Sequence, residues 1–206
     1  GKVQRMSDLK MTLACWNYDR TRALMDGSVK PEGIDLHYHN SFPAATFHRM
    51  MGKHEFEASE LGLTFYLDTL QEPDPPFVAI PVYPIRIFSH SAIYINVNKG
   101  IEQTKDLIGK KIGVKSYQVS AIVWLRGILE HEYGVPHKSI EWFSEIDEDV
   151  EFIPPDDLKL TRLDDSKSVE AMLVAGELDA VLHPDLIEPF IHKNPAVGRL
   201  FTDYKA

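Results

Sequence analysis

Residues 18–22 set a tyrosine, an aspartate and two arginines within five positions, directly after the apolar run 11–16. An arginine at a strand-to-helix turn can grip a carboxylate through two parallel hydrogen bonds, and the N–H groups of Asp19 to Thr21 would add to the field. On this reading Tyr18, Asp19, Arg20 and Arg22 bind an anion, with Asp19 holding an arginine in place. The same residues also make an ordinary helix start, with Asn17 or Asp19 as N-cap and the arginines solvated or salt-bridged.

Four further clusters carry possible chemistry. In RIFSHS, His90 can move a proton near neutral pH while Arg86 and Ser91 bind the anion on which it acts; a histidine bonded to backbone at a strand edge would read the same. In SELG, Glu60 is an acid or base at a strand end, or an exposed glutamate opening a helix. SYQVSA offers hydroxyls and free N–H groups at Tyr117 and Gln118 to an anion. Arg126, further along that helix, faces either the ligand or solvent, and Trp124 is read as packing. His183 follows an apolar strand, where open α/β sheets present ligand residues. His37 and His39 lack a carboxylate or cysteine at ligand spacing, so they are read as a polar face and no metal is expected. Phosphate-loop, dinucleotide and serine-hydrolase motifs are absent from the sequence.

These residues need elements to hold them, and 206 residues with 44% hydrophobic content can bury a real core. A net charge of -9 opposes nucleic acid and acidic membranes as partners and favours a small polar ligand. Without a bilayer-length apolar run or a secretory stretch, a soluble, non-exported protein is expected. Met6 reads as the natural start, with the first five residues an appended tag; a processed precursor would read the same. The single Cys15 cannot form an internal disulfide and is read as a small core residue.

Apolar runs of strand length alternate with helical periodicity, which predicts an α/β fold with a largely parallel sheet. Strands are expected at 11–16, 34–39, 111–114, 158–163 and 178–182, a short one within FEASELGL, and apolar runs at 77–82 and 92–97. Helices are expected at 21–26, 43–51, 168–175 and, the longest, 119–133. The acidic stretch 145–157 is read as an exposed excursion, because its charges repel and its prolines break ladders.

The stretches NYDRTRALMDG, VKPEGIDL, FHRM, FVAIPVYPIRIFSHSAIYIN, DLIGKKIGV, AIVWLRGILEHEYGV and MLVAGELDAVLHP together resemble the 4,5-dihydroxyphthalate decarboxylase family, a cytoplasmic branch of the type 2 periplasmic-binding-protein fold. The DLIGKKIGV and GELDA elements are shared by many solute-binding proteins of that fold and speak for architecture, whereas YDRTRAL and RIFSHSAIYIN are more specific. The resemblance implies two α/β lobes, 1–97 and 98–206, with ligand in the cleft between them. It also implies a return segment completing the first lobe, which this sequence lacks. The implied reaction removes one carboxylate of a dihydroxylated aromatic dicarboxylate as carbon dioxide, without an organic cofactor. In that reaction Arg20, Arg22 and Arg86 hold the retained carboxylate, His90 and Glu60 form the acid/base pair, and Tyr18, Asp19, Ser91, Tyr117, Gln118, Arg126 and His183 complete the substrate contacts. A non-catalytic binder of small anions in an ABC-type uptake system is the alternative, and homo-oligomerisation stays open.

Overall fold

The computed structural model describes residues 8–151 and 153–204, and the chain divides into a first unit ending at Arg86 and a second beginning at Ile87. The expected start at Met6 lies outside the described residues.

The first unit runs β1 (Leu9–Ala14), α1 (Arg22–Met25), β2 (Ile34–His39), α2 (Pro43–Lys53), β3 (Ala58–Ser59) and α3 (Leu63–Thr69). Its sheet has the order β2-β1-β3 and is parallel throughout. All three strands therefore end at one edge. Pro43 starts α2, where its fixed φ fits the helix and its missing N–H leaves no broken bond. Ala14, Met50 and Phe56 form a small core, with Leu61 and Phe77 packed against it. Cys15, 2% exposed, is the core residue its strand suggested.

The second unit contains β4 (Ile93–Asn96), β5 (Lys111–Val114), α4 (Ser120–His131), β6 (Glu141–Ser144), β7 (Leu160–Arg162), α5 (Val169–Ala175), β8 (Ala180–Leu182), α6 (Glu188–Ile191) and β9 (Val197–Arg199). Its sheet has the order β7-β6-β5-β8-β4-β9. Strands β5 to β8 pair in parallel, but β4 lies antiparallel between β8 and β9, so this sheet is mixed. β4 falls inside the 1–97 span expected for the first lobe, yet it is an interior strand of this second sheet. Ile122, Leu125 and Leu129 turn one face of α4 into a core that includes Ile112, Trp142 and Leu182. Trp124, expected to pack, is 63% exposed because it falls on the opposite face of the helix.

The apolar run 77–82 forms no strand. Pro76 and Pro81 remove ladder donors, and Val78, Ile80 and Val82 stand 91%, 71% and 60% exposed. No helix among the described residues is long and apolar enough to cross a membrane.

Gly113 lets β5 approach its neighbours. A Cβ there would lie 2.7 Å from Leu178 Cδ1 and 2.9 Å from Val169 Cβ. Gly113→Ala is expected to cost about 1–3 kcal/mol through overpacking, read from the urea midpoint; an unchanged midpoint would contradict this packing.

Candidate functional site

The first cluster forms where the first unit's parallel strands end. Cys15 N–H donates to His39 O at 3.1 Å and Glu60 N–H to Ala14 O at 3.0 Å, so the ladder extends one step past β1 on both sides. This step places Glu60 beside the turn that follows β1. There its carboxylate accepts the Trp16 N–H and the Tyr18 hydroxyl, each at 2.7 Å. Glu60 is only 8% exposed. Burial pushes its carboxyl above the ordinary carboxylate range, while the hydrogen bonds from Tyr18 and Trp16 pull it down. Burial, reinforced by the bond to Glu60, pushes the Tyr18 hydroxyl up as well.

Tyr38, which the sequence reading did not single out, and Thr21, named there only for its backbone N–H, close this turn. The Tyr38 hydroxyl donates to Trp16 O at 2.8 Å and lies 3.0 Å from Thr21 Oγ1. Thr21 Oγ1 in turn lies 3.3 Å from Trp16 O and 3.4 Å from Tyr18 O. A signal was present: strand alternation puts Tyr38 on the same face as Ile34 and Leu36, opposite His37, at a strand's C-terminal end.

The arginines of the opening cluster lie on the exposed side. Asp19 accepts the Arg20 N–H at 2.9 Å and approaches its guanidinium at 3.6 Å. That guanidinium also donates to Pro84 O. Arg22 donates to Asn17 Oδ1 at 3.3 Å, and Arg86 is exposed. His39 stacks on Phe56 with ring centroids 5.2 Å apart, and its Nε2 lies 2.7 Å from Arg49 Nη1.

In the second unit Tyr117 and Gln118 come together around Glu148, a residue missed from sequence, and Arg126 lies against Tyr117. The Glu148 carboxylate accepts the Ser116 hydroxyl at 2.9 Å and the N–H groups of Tyr117 at 2.6 Å and Gln118 at 2.9 Å. The N–H groups expected to be free are thus taken by the chain's own carboxylate. Glu145 likewise accepts the N–H of Val169, the first residue of α5, at 2.9 Å. The acidic stretch, expected as an exposed excursion, therefore turns two glutamates inward, because backbone donors ahead of α4 and at the start of α5 offset their charge. Tyr117 is a core residue, 4% exposed, with its ring edge-on to Trp142. The Arg126 guanidinium stacks over that ring at 3.6 Å, and burial lowers its pKa.

His90 is half-buried among aromatics, with Nε2 at 3.0 Å from the Tyr133 hydroxyl and the Phe201 ring centroid 4.8 Å away. Ser91 Oγ donates to Phe88 O at 2.7 Å. His183 Nδ1 accepts the Asp185 N–H at 3.1 Å, closing its own turn. An open groove of about 650 Å³ along α5 and α6, lined by Ser168, Glu170, Glu188 and His192 among others, holds none of the residues expected in the site.

No family model matches the chain. It is 36% identical over 204 residues to the 4,5-dihydroxyphthalate decarboxylase of Comamonas testosteroni, covering 96% of this chain and 62% of that protein. To the 4,5-dihydroxyphthalate decarboxylase of Pseudomonas putida it is 34% identical over 204 residues, covering 96% of this chain and 79% of that one. The chain belongs to the 4,5-dihydroxyphthalate decarboxylase family. This decarboxylase-family chain thus spans about three fifths of the Comamonas relative. Its fold matches the periplasmic aliphatic sulphonate binding protein SsuA of Escherichia coli at a TM-score of 0.55 and 13% identity, over 95% of this chain and 60% of that one. The alkanesulfonate-binding protein SsuA of Xanthomonas axonopodis pv. citri, bound to MOPS, matches equally, at a TM-score of 0.55 and 14% identity, over 95% and 61%. This chain has a type 2 periplasmic-binding-protein-like fold.

Proposed function

We propose that this chain takes part in the decarboxylation of 4,5-dihydroxyphthalate or a close analogue, with Glu60 carrying a proton transfer. The family supplies the substrate class, since both relatives are 4,5-dihydroxyphthalate decarboxylases. The observation that carries the residue assignment is the buried Glu60 carboxyl, raised by burial and aimed by Tyr18 and Trp16. A carboxyl raised toward working pH exchanges protons more effectively than one fully ionised.

Each ring hydroxyl of this substrate is para to one carboxylate. Loss of a phenolic proton to a base pushes electron density onto the carboxylate-bearing ring carbon. An acid protonates that carbon, the C–C bond breaks, carbon dioxide leaves, and the ring regains aromaticity. Glu60 serves one of these two transfers, and His90 is the second candidate. Arg20, Arg22 and Arg86 supply cations for the retained carboxylate, which a guanidinium binds in a bidentate fork. Ser91, Tyr117, Gln118, Arg126 and His183 remain proposed contacts.

Turnover in deuterium oxide tests this mechanism. The product, 3,4-dihydroxybenzoate, should carry one deuterium at the vacated ring carbon, and phthalate without hydroxyls should release no carbon dioxide above background. Equal decarboxylation of phthalate would overturn the phenol-driven step. Binding of 4,5-dihydroxyphthalate without product would point to an anion-binding protein instead.

A further inference from the structure

The Tyr18–Glu60 pair depends on a turn, residues 15–21, that is short of regular backbone pairing. Its own backbone bonds are Tyr18 N–H to Trp16 O at 2.9 Å and Thr21 N–H to Tyr18 O at 3.2 Å. Two groups of this turn hold the Glu60 carboxylate, the Trp16 N–H and the Tyr18 hydroxyl. A carboxylate aimed by a loop is only as well placed as the loop, and a displacement of about 1 Å can cost a hundredfold in rate.

We propose that Tyr38 is a positioning residue for the reaction, its hydroxyl pinning both ends of this turn so that Trp16 and Tyr18 hold Glu60 in place. The inference rests on the reading of Glu60 given above. Tyr38 projects from the strand beside β1, opposite Leu13 in register. Its hydroxyl reaches past the end of β1 to the Trp16 carbonyl at the turn's start and to Thr21 Oγ1 at its end, 2.8 and 3.0 Å away. A single rigid ring thereby ties positions 16 and 21 to the sheet. Thr21 completes the clamp with its single hydroxyl proton, which goes either to the Tyr38 oxygen or to one of the Trp16 and Tyr18 carbonyls beside it. Burial pushes the Tyr38 hydroxyl up to about 12, so it stays a donor at any working pH.

The clamp acts through Glu60, so its removal should change Glu60's titration as well as the rate. Tyr38→Phe, made in the protein that turns over 4,5-dihydroxyphthalate, is expected to lower kcat about tenfold with KM within about twofold. In the same variant the Glu60 carboxyl, labelled with carbon-13 and assigned by its loss in Glu60→Gln, should titrate at higher pH. The reason is that its two donors loosen while burial remains. Thr21→Val, which removes the other hydroxyl of the clamp, should move the same resonance the same way. Wild-type kcat in Tyr38→Phe, or a Glu60 titration unmoved in both variants, would overturn the proposal. Wild-type kcat in Glu60→Gln would instead sink the reading of Glu60 on which it rests. The NMR titration reads the clamp whether or not turnover is detected.

Discussion

Glu60→Gln is expected to cut turnover of 4,5-dihydroxyphthalate by about 10²–10⁴-fold, with binding held within about threefold. Glutamine keeps the shape and can still accept the Trp16 N–H while its NH₂ donates to the Tyr18 oxygen, so the turn survives and only proton exchange is lost. The pH profile of kcat/KM should lose one limb in the variant. The same change should stabilise the fold above acid pH. Burial raises the folded-state pKa of Glu60 above its unfolded value, so the folded chain binds this proton more tightly. The stability due to the protonated carboxyl is complete below about pH 4.3, the unfolded value, and is lost as pH rises through the folded value. Glutamine has no charge to bury, so the urea midpoint of Glu60→Gln should rise above wild type by a margin that widens with pH. A margin that narrows with pH would contradict the burial argument.

The largest stability effect is expected at Trp142. Its ring is 0% exposed, its Nε1–H donates to His137 O at 2.8 Å, and it meets the edge of Tyr117 at 5.5 Å. Trp142→Ala removes the largest side chain of the second core and leaves a cavity, so about 3–5 kcal/mol should be lost. Tyr117 sits between Trp142 and the Arg126 guanidinium, so the loss should extend to the loop that Glu148 binds. Equilibrium urea unfolding measures the cost, and amide exchange at Tyr117 and Gln118 reports the loop. A loss below about 1 kcal/mol would mean the ring is not the core element described.

Much of the fold was legible because local pattern and final environment agree. The strand at 34–39 and the apolar face of the long helix follow from alternation and helical period, and the strand at 111–114 from a short run after the Gly109 turn. What escaped depends on partners distant in sequence. Glu60 reads equally as a strand-end acid or base and as an exposed glutamate until β3 pairs with β1 and sets it against Trp16, 44 positions earlier. Tyr38 stood between two histidines that drew attention to the other face. Glu148 lay in a stretch whose charges suggested repulsion, and only the backbone donors of residues 117 and 118 turn it inward. The run 77–82 is as apolar as a strand, but Pro76 before it and Pro81 within it deny it a ladder. Strands β6 and β9 fall at 141–144 and 197–199, where the sequence reading expects none.

The proposed chemistry is proton-driven loss of carbon dioxide rather than anion binding alone. One measurement meets it most directly: the protein is mixed with 4,5-dihydroxyphthalate, and heat of binding, carbon dioxide release and 3,4-dihydroxybenzoate formation are followed on one sample. One carbon dioxide per dihydroxybenzoate formed is expected, continuing through many turnovers. Saturable binding heat with neither product would contradict it.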